Sequence, residues 1–548
     1  MLNLKSIYFY FLALKISSIK FLKKIYFTTN FYNKSLNSKV PDKIYFFPNP
    51  FLLSSLTSHK NFSFNVSKID PQIFWETNMK IKDIKNINNF FWLNLIDRKN
   101  KSNVIQKIIT VWIYKNNKYK KIIWDNSILS KRLISWILNS DIILDNADDY
   151  FKKEFFGSII YQVNHLKKNV IFEDNYLKKI EILTAILLTG LIFKEYLDNF
   201  NLASRELKKL VRNIFDSEGF PLDKNSCSLI KLSKYLILIR ECIKDSHQYI
   251  PDFLDEIINK NLTCINSVLT PLMSIPLFNG SIELNLEDYF KYLKSLNYDL
   301  KKQNKVSSSI SILKYKKNTI FFEISAPPEK SFSSFYQSGP LSFEYYFDNN
   351  KIVTNCGFGS QISKKGELLS RLTSAQSTLC IEDTSVIEFE RNKLINTAFG
   401  NSINGRFKIF EKNYNTSSSE ILTTASHNAY LKRFGYIHNR TIKIDKSNND
   451  VHGQDILLKK ENALDSKFSI RFHLYPGISA VKTLGGDSIL IQIKKNKSLI
   501  FNSSGSIMNI EKSIFLGKNQ IKNNLCIVIS GNTNGENKSI DWFFKKSN

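Results

Sequence analysis

Cysteine is scarce in this chain: six residues in 548, none of them in a C-x-x-C pair. That excludes zinc-ribbon and thioredoxin-like readings, and a disulfide framework is not expected in so large a chain. The six are read as small buried residues. Glycine (19) and proline (12) are also few. No P-loop is present, and no G-x-G-x-x-G opens a helix after a strand, so these nucleotide chemistries are absent. The H-E-x-x-H and G-x-S-x-G signatures are missing as well. We therefore expect no metal and no cofactor. The longest apolar run, Ile182 to Phe193, is too short to span a bilayer and reads as a core helix.

What is present is apolar residue content of 43%, enough to bury large cores. The length exceeds what one hydrophobic core supports, which implies at least two domains. The net charge is +28, from 77 basic and 49 acidic residues. Such a charge attracts polyanions: nucleic acid, anionic lipid or acidic polysaccharide. The lysines are scattered, however, and AT-rich codon usage is the simpler account of them. A nucleic-acid binder concentrates its basic residues in a stripe, and none is visible here. Met1 to Tyr32 is basic and aromatic, with its apolar run Ile7 to Leu14 cut by Lys15. No small-residue cleavage site follows, so a helix that packs on the body or touches a membrane surface is expected rather than a signal peptide.

Residues 1–85 read as an irregular lead-in. From about Asn88 the apolar period is helical: Ile105, Ile108, Ile109 and Trp112 share a face, as do Leu133, Trp136 and Ile137. Further helices are expected over Phe151 to Lys168, Asn175 to Phe200, Arg205 to Phe215, Ser228 to Cys242 and Pro251 to Leu272, with Ser204 as a cap. This gives an all-α domain over 86–304. Five of six tryptophans (Trp75, Trp92, Trp112, Trp124, Trp136) fall in the first quarter. They are either core or an aromatic platform for sugar rings.

After about Val306 the period becomes 2, as in Ile320, Phe322, Ile324 and in Phe468, Ile470, Phe472, Leu474. Turn signals such as Asp348-Asn349-Asn350 separate the runs, so 305–548 reads as an antiparallel β-sandwich. Within it, Leu341, Phe343, Tyr345 and Phe347 alternate with polar residues and read as a half-buried strand. The segment from Phe332 to Ser385, with Tyr336-Gln337-Ser338-Gly339 and Ala375-Gln376-Ser377, places polar side chains just before two strands. A ligand surface is expected there. His473, beside Arg471 and Tyr475, lies either on a solvated sheet face or on a polar ring facing the α domain. His427 and Tyr430 read as loop residues suited to acid–base work.

Taken together, these segments resemble the heparinase II/III family of polysaccharide lyases. Lys131-Arg132-Leu133-Ile134-Ser135-Trp136 is similar to a helix of that family. So are Gly339 to Glu344, Asn355-Cys356-Gly357, Ala375 to Asp383, His427 to Tyr430, Arg433 to Arg440, Arg471 to Gly477 and Glu511 to Gly517 in its β domain. The resemblance covers about 88 to 545. It implies an α+β multidomain fold, an N-terminal (α/α) toroid followed by an antiparallel β-sandwich, with acidic polysaccharide held between them. It also implies β-elimination, in which a uronate loses its C5 proton and the bond at C4 breaks. That chemistry requires a neutralised carboxylate, a base and an acid. The catalytic candidates are His427, Tyr430 and Tyr336. The substrate-binding candidates are Gln337, Gln376, Trp92, Arg132, Trp136, Asn225, Arg440, Arg471 and His473.

The sequence departs from the active members at four places. Phe220, Ile310, Gln337 and Gln376 stand where His or Tyr is expected, and glutamine does not exchange protons near neutral pH. Three readings follow: a lyase with relocated acid–base groups, a saccharide-binding or envelope-assembly protein that has lost the chemistry, and a membrane-surface or nucleic-acid protein. The family suggests the cell envelope or periplasm; without a clear signal peptide, the cytoplasm is the alternative.

Overall fold

The computed structural model describes residues 4–57, 75, 80–96, 98, 102–300, 309–460, 462–505, 507–518 and 520–547. His59, part of the lead-in and the domain boundary near residue 305 lie outside the described residues. Helices dominate up to residue 300 and antiparallel strands after 309.

The helical half forms around Leu-, Ile- and Trp-rich faces that close on one another into one large cluster. Asn126–Leu138, Asp149–Asn169, Tyr176–Ile192, Leu197–Ile214, Ser226–Asp245 and Asp252–Ser267 carry most of it. Several start on side-chain caps: Asp125, Asp148, Asn175 and Asn225 each accept a hydrogen bond from an orphan N–H of the first turn. The expected break at Ser204 does not occur; the helix runs through Leu197–Ile214, and the interruption falls at the extended residue Phe193. Gly190 explains the pairing that follows. A Cβ there would lie 2.3 Å from the Phe200 backbone nitrogen, so only glycine lets these two helices touch. The tryptophan expectation resolves to core: Trp92, Trp112, Trp124 and Trp136 are buried, and Trp112 meets Trp136 edge-on at 5.3 Å.

The second half contains two eight-stranded antiparallel sheets and a two-stranded one. The first runs in the order Ile310–Tyr315, Asn318–Glu323, Phe343–Phe347, Asn350–Thr354, Lys467–Leu474, Lys522–Asn532, Ile507–Phe515, with Leu379–Ile381 paired to Lys467–Leu474. The second runs from Ser479–Lys482 through Ser488–Lys494, Lys497–Ser503, Lys538–Lys546, Val451–Lys459, Tyr436–Asp445 and Glu420–His427 to the edge strand Ile409–Thr416. Inward residues of both sheets share one core, including Phe343, Phe472, Phe501, Trp542 and Phe544.

One expectation about the first sheet is corrected. Phe343–Phe347 is buried on both faces, not one. Its far face, with Ile310 and Phe321 of the neighbouring strands, is covered by the helical domain, and Tyr346 belongs to the helical cluster. The acid on that face, Glu344, is neutralised by Lys351 at 2.8 Å. A strand covered by helices on one side and a sheet on the other has no solvent face, so residue type on the alternate positions misleads.

Candidate functional site

The place where the two domains meet is built from short segments of each. From the helical side come the turn before Ser226–Asp245 and the loop 276–283; from the β side come the end of Asn318–Glu323 and the stretch from Phe332 to Gln337. Gly280 adopts φ +87°, and a Cβ there would sit 2.6 Å from the Phe335 Cβ, so the loop presses directly on this stretch. Its N–H donates to Gln337 Oε1 at 2.9 Å. Gln337 Nε2 donates in turn to Gly357 O at 3.1 Å and Ser370 O at 2.6 Å. Gln376 Nε2 donates to the same Ser370 carbonyl at 2.8 Å. The two glutamines therefore converge, but on backbone: both Gln337 donors and its acceptor are in use.

Charged groups gather a few residues away. Glu323 is buried at the strand end, where Oε1 accepts from the Ser325 N–H at 2.9 Å and from its hydroxyl, and Oε2 accepts from Asn279 Nδ2 at 3.1 Å. Burial pushes its carboxyl up to about 7, with the Ser325 bonds and the charges of Lys224 and Lys412 pulling the other way. Lys224 belongs to the helical domain, with φ +60°, and pairs with Asp216 at 3.2 Å. Lys412 lies exposed on the edge strand Ile409–Thr416 of the second sheet, where partial desolvation lowers its pKa against the opposing pull of Glu323. Three separate segments thus bring two cations and one carboxyl within electrostatic range. Tyr336 packs instead in an apolar cluster with Ile387, Ile403 and Phe407, where burial raises its phenol well above the usual value and the Glu323 charge adds to the effect. Arg371, fully buried, fastens this stretch by donating to Tyr336 O at 2.8 Å and Ser333 O at 2.9 Å.

The other candidates lie elsewhere. His427 ends the strand Glu420–His427 instead of sitting in a loop, and it is fully buried. Its Nε2 meets His438 Nδ1 at 3.0 Å, and His438 Nε2 meets Asp455 Oδ1 at 2.6 Å. Asp455 is ionised: burial would raise its carboxyl, but Arg440 and His438 outweigh that and hold it well below the usual range. An ionised Asp455 only accepts, so His438 donates through Nε2 and accepts through Nδ1, and His427 donates through Nε2. His427 Nδ1 then accepts the Ala429 N–H at 3.2 Å. Both rings are neutral and fully bonded, consistent with burial lowering each pKa. Tyr430 donates to Leu379 O at 2.9 Å within the sandwich core. Arg440 grips Asp455 through Nε at 2.7 Å and Nη2 at 3.0 Å.

His473 is not on a solvated face. Its Nε2 donates to Ser374 O at 3.0 Å, its Nδ1 lies 2.9 Å from Ser513 Oγ, and burial lowers its pKa to about 4. Arg471 pairs with Asp383 at 2.9 Å. Of the expected polar ring, Tyr475 is the member bonded across the seam, donating to Glu283 at 3.2 Å. In the helical domain, Trp92, Arg132 and Trp136 are core residues. Asn225 caps its helix by accepting the Cys227 N–H at 2.7 Å and accepts the Ser281 hydroxyl at 3.1 Å.

Sequence reasoning missed Glu323, Lys224, Lys412 and Arg371. One signal was visible: Glu323 is a lone acid closing the apolar run Ile320-Phe321-Phe322. The lysines carry no local mark among so many others.

Residues 305–543 match the family model for the heparinase II/III-like C-terminal domain. The β domain is a heparinase II/III-like domain. Over about nine tenths of the chain the fold is shared with solved lyases. Heparan sulfate lyase HepC from Pedobacter heparinus is 12% identical, with TM-score 0.65 over 91% of this chain and 82% of that one. A crystal structure of heparinase III gives 13% identity and TM-score 0.68 over 91% and 84%. A heparinase III gene product gives 10% and 0.68 over 91% and 83%. At such identities the likeness is one of fold: a helical domain followed by antiparallel sheets of the heparinase type. No curated protein matches the chain significantly by sequence.

Proposed function

We propose that this protein is a polysaccharide lyase that engages an acidic, uronate-containing chain at the seam between its helical and heparinase II/III-like domains. The observation that carries the reading is the heparinase II/III-like match of the β domain on a fold shared with solved lyases, with the Glu323 carboxyl at the seam between the domains feeling the charges of Lys224 and Lys412. Two lysines neutralise the uronate carboxylate and so stabilise the enolate-like state. Glu323, with its pKa near 7, takes the C5 proton. The C4–O bond breaks as the C4=C5 double bond forms, and the proton that Glu323 has taken passes to the departing oxygen. Gln337 and Gln376 hold the floor of the seam and do not contact the sugar.

The test is ultraviolet absorbance of unsaturated uronate on a panel of acidic polysaccharides. At least one polymer should give product, at a rate rising through about pH 7 as Glu323 ionises. Glu323→Gln should lower that rate about a hundredfold or more. Full activity in the variant would remove Glu323 from the chemistry.

A second reading, a saccharide-binding protein without chemistry, is favoured by the saturation of Gln337, His427 and His473. It predicts glycan binding that weakens in Lys224→Ala/Lys412→Ala, with no product from any polymer.

A further inference from the structure

The N-terminal helix Leu4–Tyr26 braces both domains with one face and leaves the other uncovered. Near its start, Phe9 packs edge-on against Phe399 of the β domain at 5.8 Å, with Lys330 Nζ 5.1 Å over the same ring. Ala13 is fully buried beneath it. Towards its end, Lys23 donates to Asn169 in the helical domain at 3.1 Å and lies 3.7 Å over the Phe172 ring. The opposite face carries Ile7, Phe11, Leu14, Phe21, Leu22 and Ile25, all exposed and spaced to form one continuous stripe. Soluble monomers rarely leave so large an apolar surface bare without a partner.

The charges on the helix say which partner. It carries lysine alone, and no acidic residue: Lys15, Lys20 and Lys24 are exposed along it. We propose that this outward face docks the protein on an anionic bilayer surface, the apolar stripe entering the headgroup region and the lysines meeting lipid phosphates. No described helix is long and apolar enough to cross a membrane, so this is attachment and not insertion across the bilayer. A second copy of the chain fits less well, because pairing these helices would set lysines against lysines. This inference does not depend on the lyase reading.

The experiment is co-sedimentation of the full chain with phosphatidylcholine vesicles, with and without phosphatidylglycerol. Binding is expected only with the anionic lipid and should weaken with salt. The triple variant Lys15→Gln/Lys20→Gln/Lys24→Gln should bind about a hundredfold more weakly. Phe11→Ser/Leu22→Ser should lose at least about tenfold, since two apolar side chains no longer enter the lipid. Both variants should keep the parent melting temperature, because the altered residues are exposed. Three results would each overturn the proposal: no vesicle binding, equal binding to neutral vesicles, or light scattering showing a dimer that the Phe11/Leu22 variant abolishes.

Discussion

Arg132 and Arg440 are both fully buried, one in each domain, and the two domains accommodate them differently. In the sandwich, Arg440 grips Asp455 with two bonds, while His438 and Trp542 supply the carboxylate's remaining donors at 2.6 and 2.8 Å. The charge is cancelled locally and every group is bonded. In the helical domain, Arg132 has no acid in contact. It donates to Gln162 Oε1 at 2.7 Å, to Asn88 O at 2.9 Å and to Ile123 O at 3.2 Å, and lies 4.2 Å over the Trp112 ring. Its Nη2 has no bond, and burial lowers its pKa well below the usual value. Asn88 ends the helix Ile81–Asn88, so its carbonyl is among the orphan acceptors with partial negative charge that helix ends present. A helical domain can thus hold a cation on dipoles and an aromatic face. Strands use most of their carbonyls for ladders, and here the sandwich uses a carboxylate.

The contrast predicts unequal responses to the same substitution. Arg440→Met strands Asp455 as a buried, half-satisfied carboxylate and should cost about 3–5 kcal/mol in denaturant titration. Acid should also act first on the sandwich. Among the described residues it buries His427, His438 and His473 with lowered pKa values, against His165 in the helical domain. The folded pKa of His473, about 4, lies below the unfolded value, so its contribution is fully present above about pH 6.5 and is lost as pH falls towards 4. His473→Gln should therefore spare about 3 kcal/mol of the loss between pH 7 and pH 4, read by tryptophan fluorescence. Arg132→Met, which strands no charge and leaves only neutral acceptors, should cost the least, about 1–2 kcal/mol. Equal losses for the two arginine variants would end the comparison.

The alternation of Phe468, Ile470, Phe472 and Leu474, and the 3.6 period through Ile105 to Trp112, were enough to place helices and strands, because those periods reflect burial directly. The order of helical and sandwich halves was legible for the same reason. Helix joints were less so: Ser204 looks like a cap, but the break falls at the extended Phe193, beside a close approach of Gly190 to Phe200 that no local pattern announces.

Site residues divide along the same line. The stretch from Phe332 to Ser385 was recognisable from its glutamines and short motifs, and it does lie at the seam. What those glutamines do was decided by Gly280, Gly357 and Ser370, three backbone groups far apart in the chain. His427 looked free because its neighbours in sequence are polar; its neighbours in space, His438 and Asp455, use both ring nitrogens. Glu323, Lys224 and Lys412 became a group only when a strand end, a helix-start turn and an edge strand came together. Periodicity is a property of the chain, and so the sequence determined the elements and their order. Charge proximity and hydrogen-bond saturation depend on segments remote in sequence, and these only the tertiary structure decided.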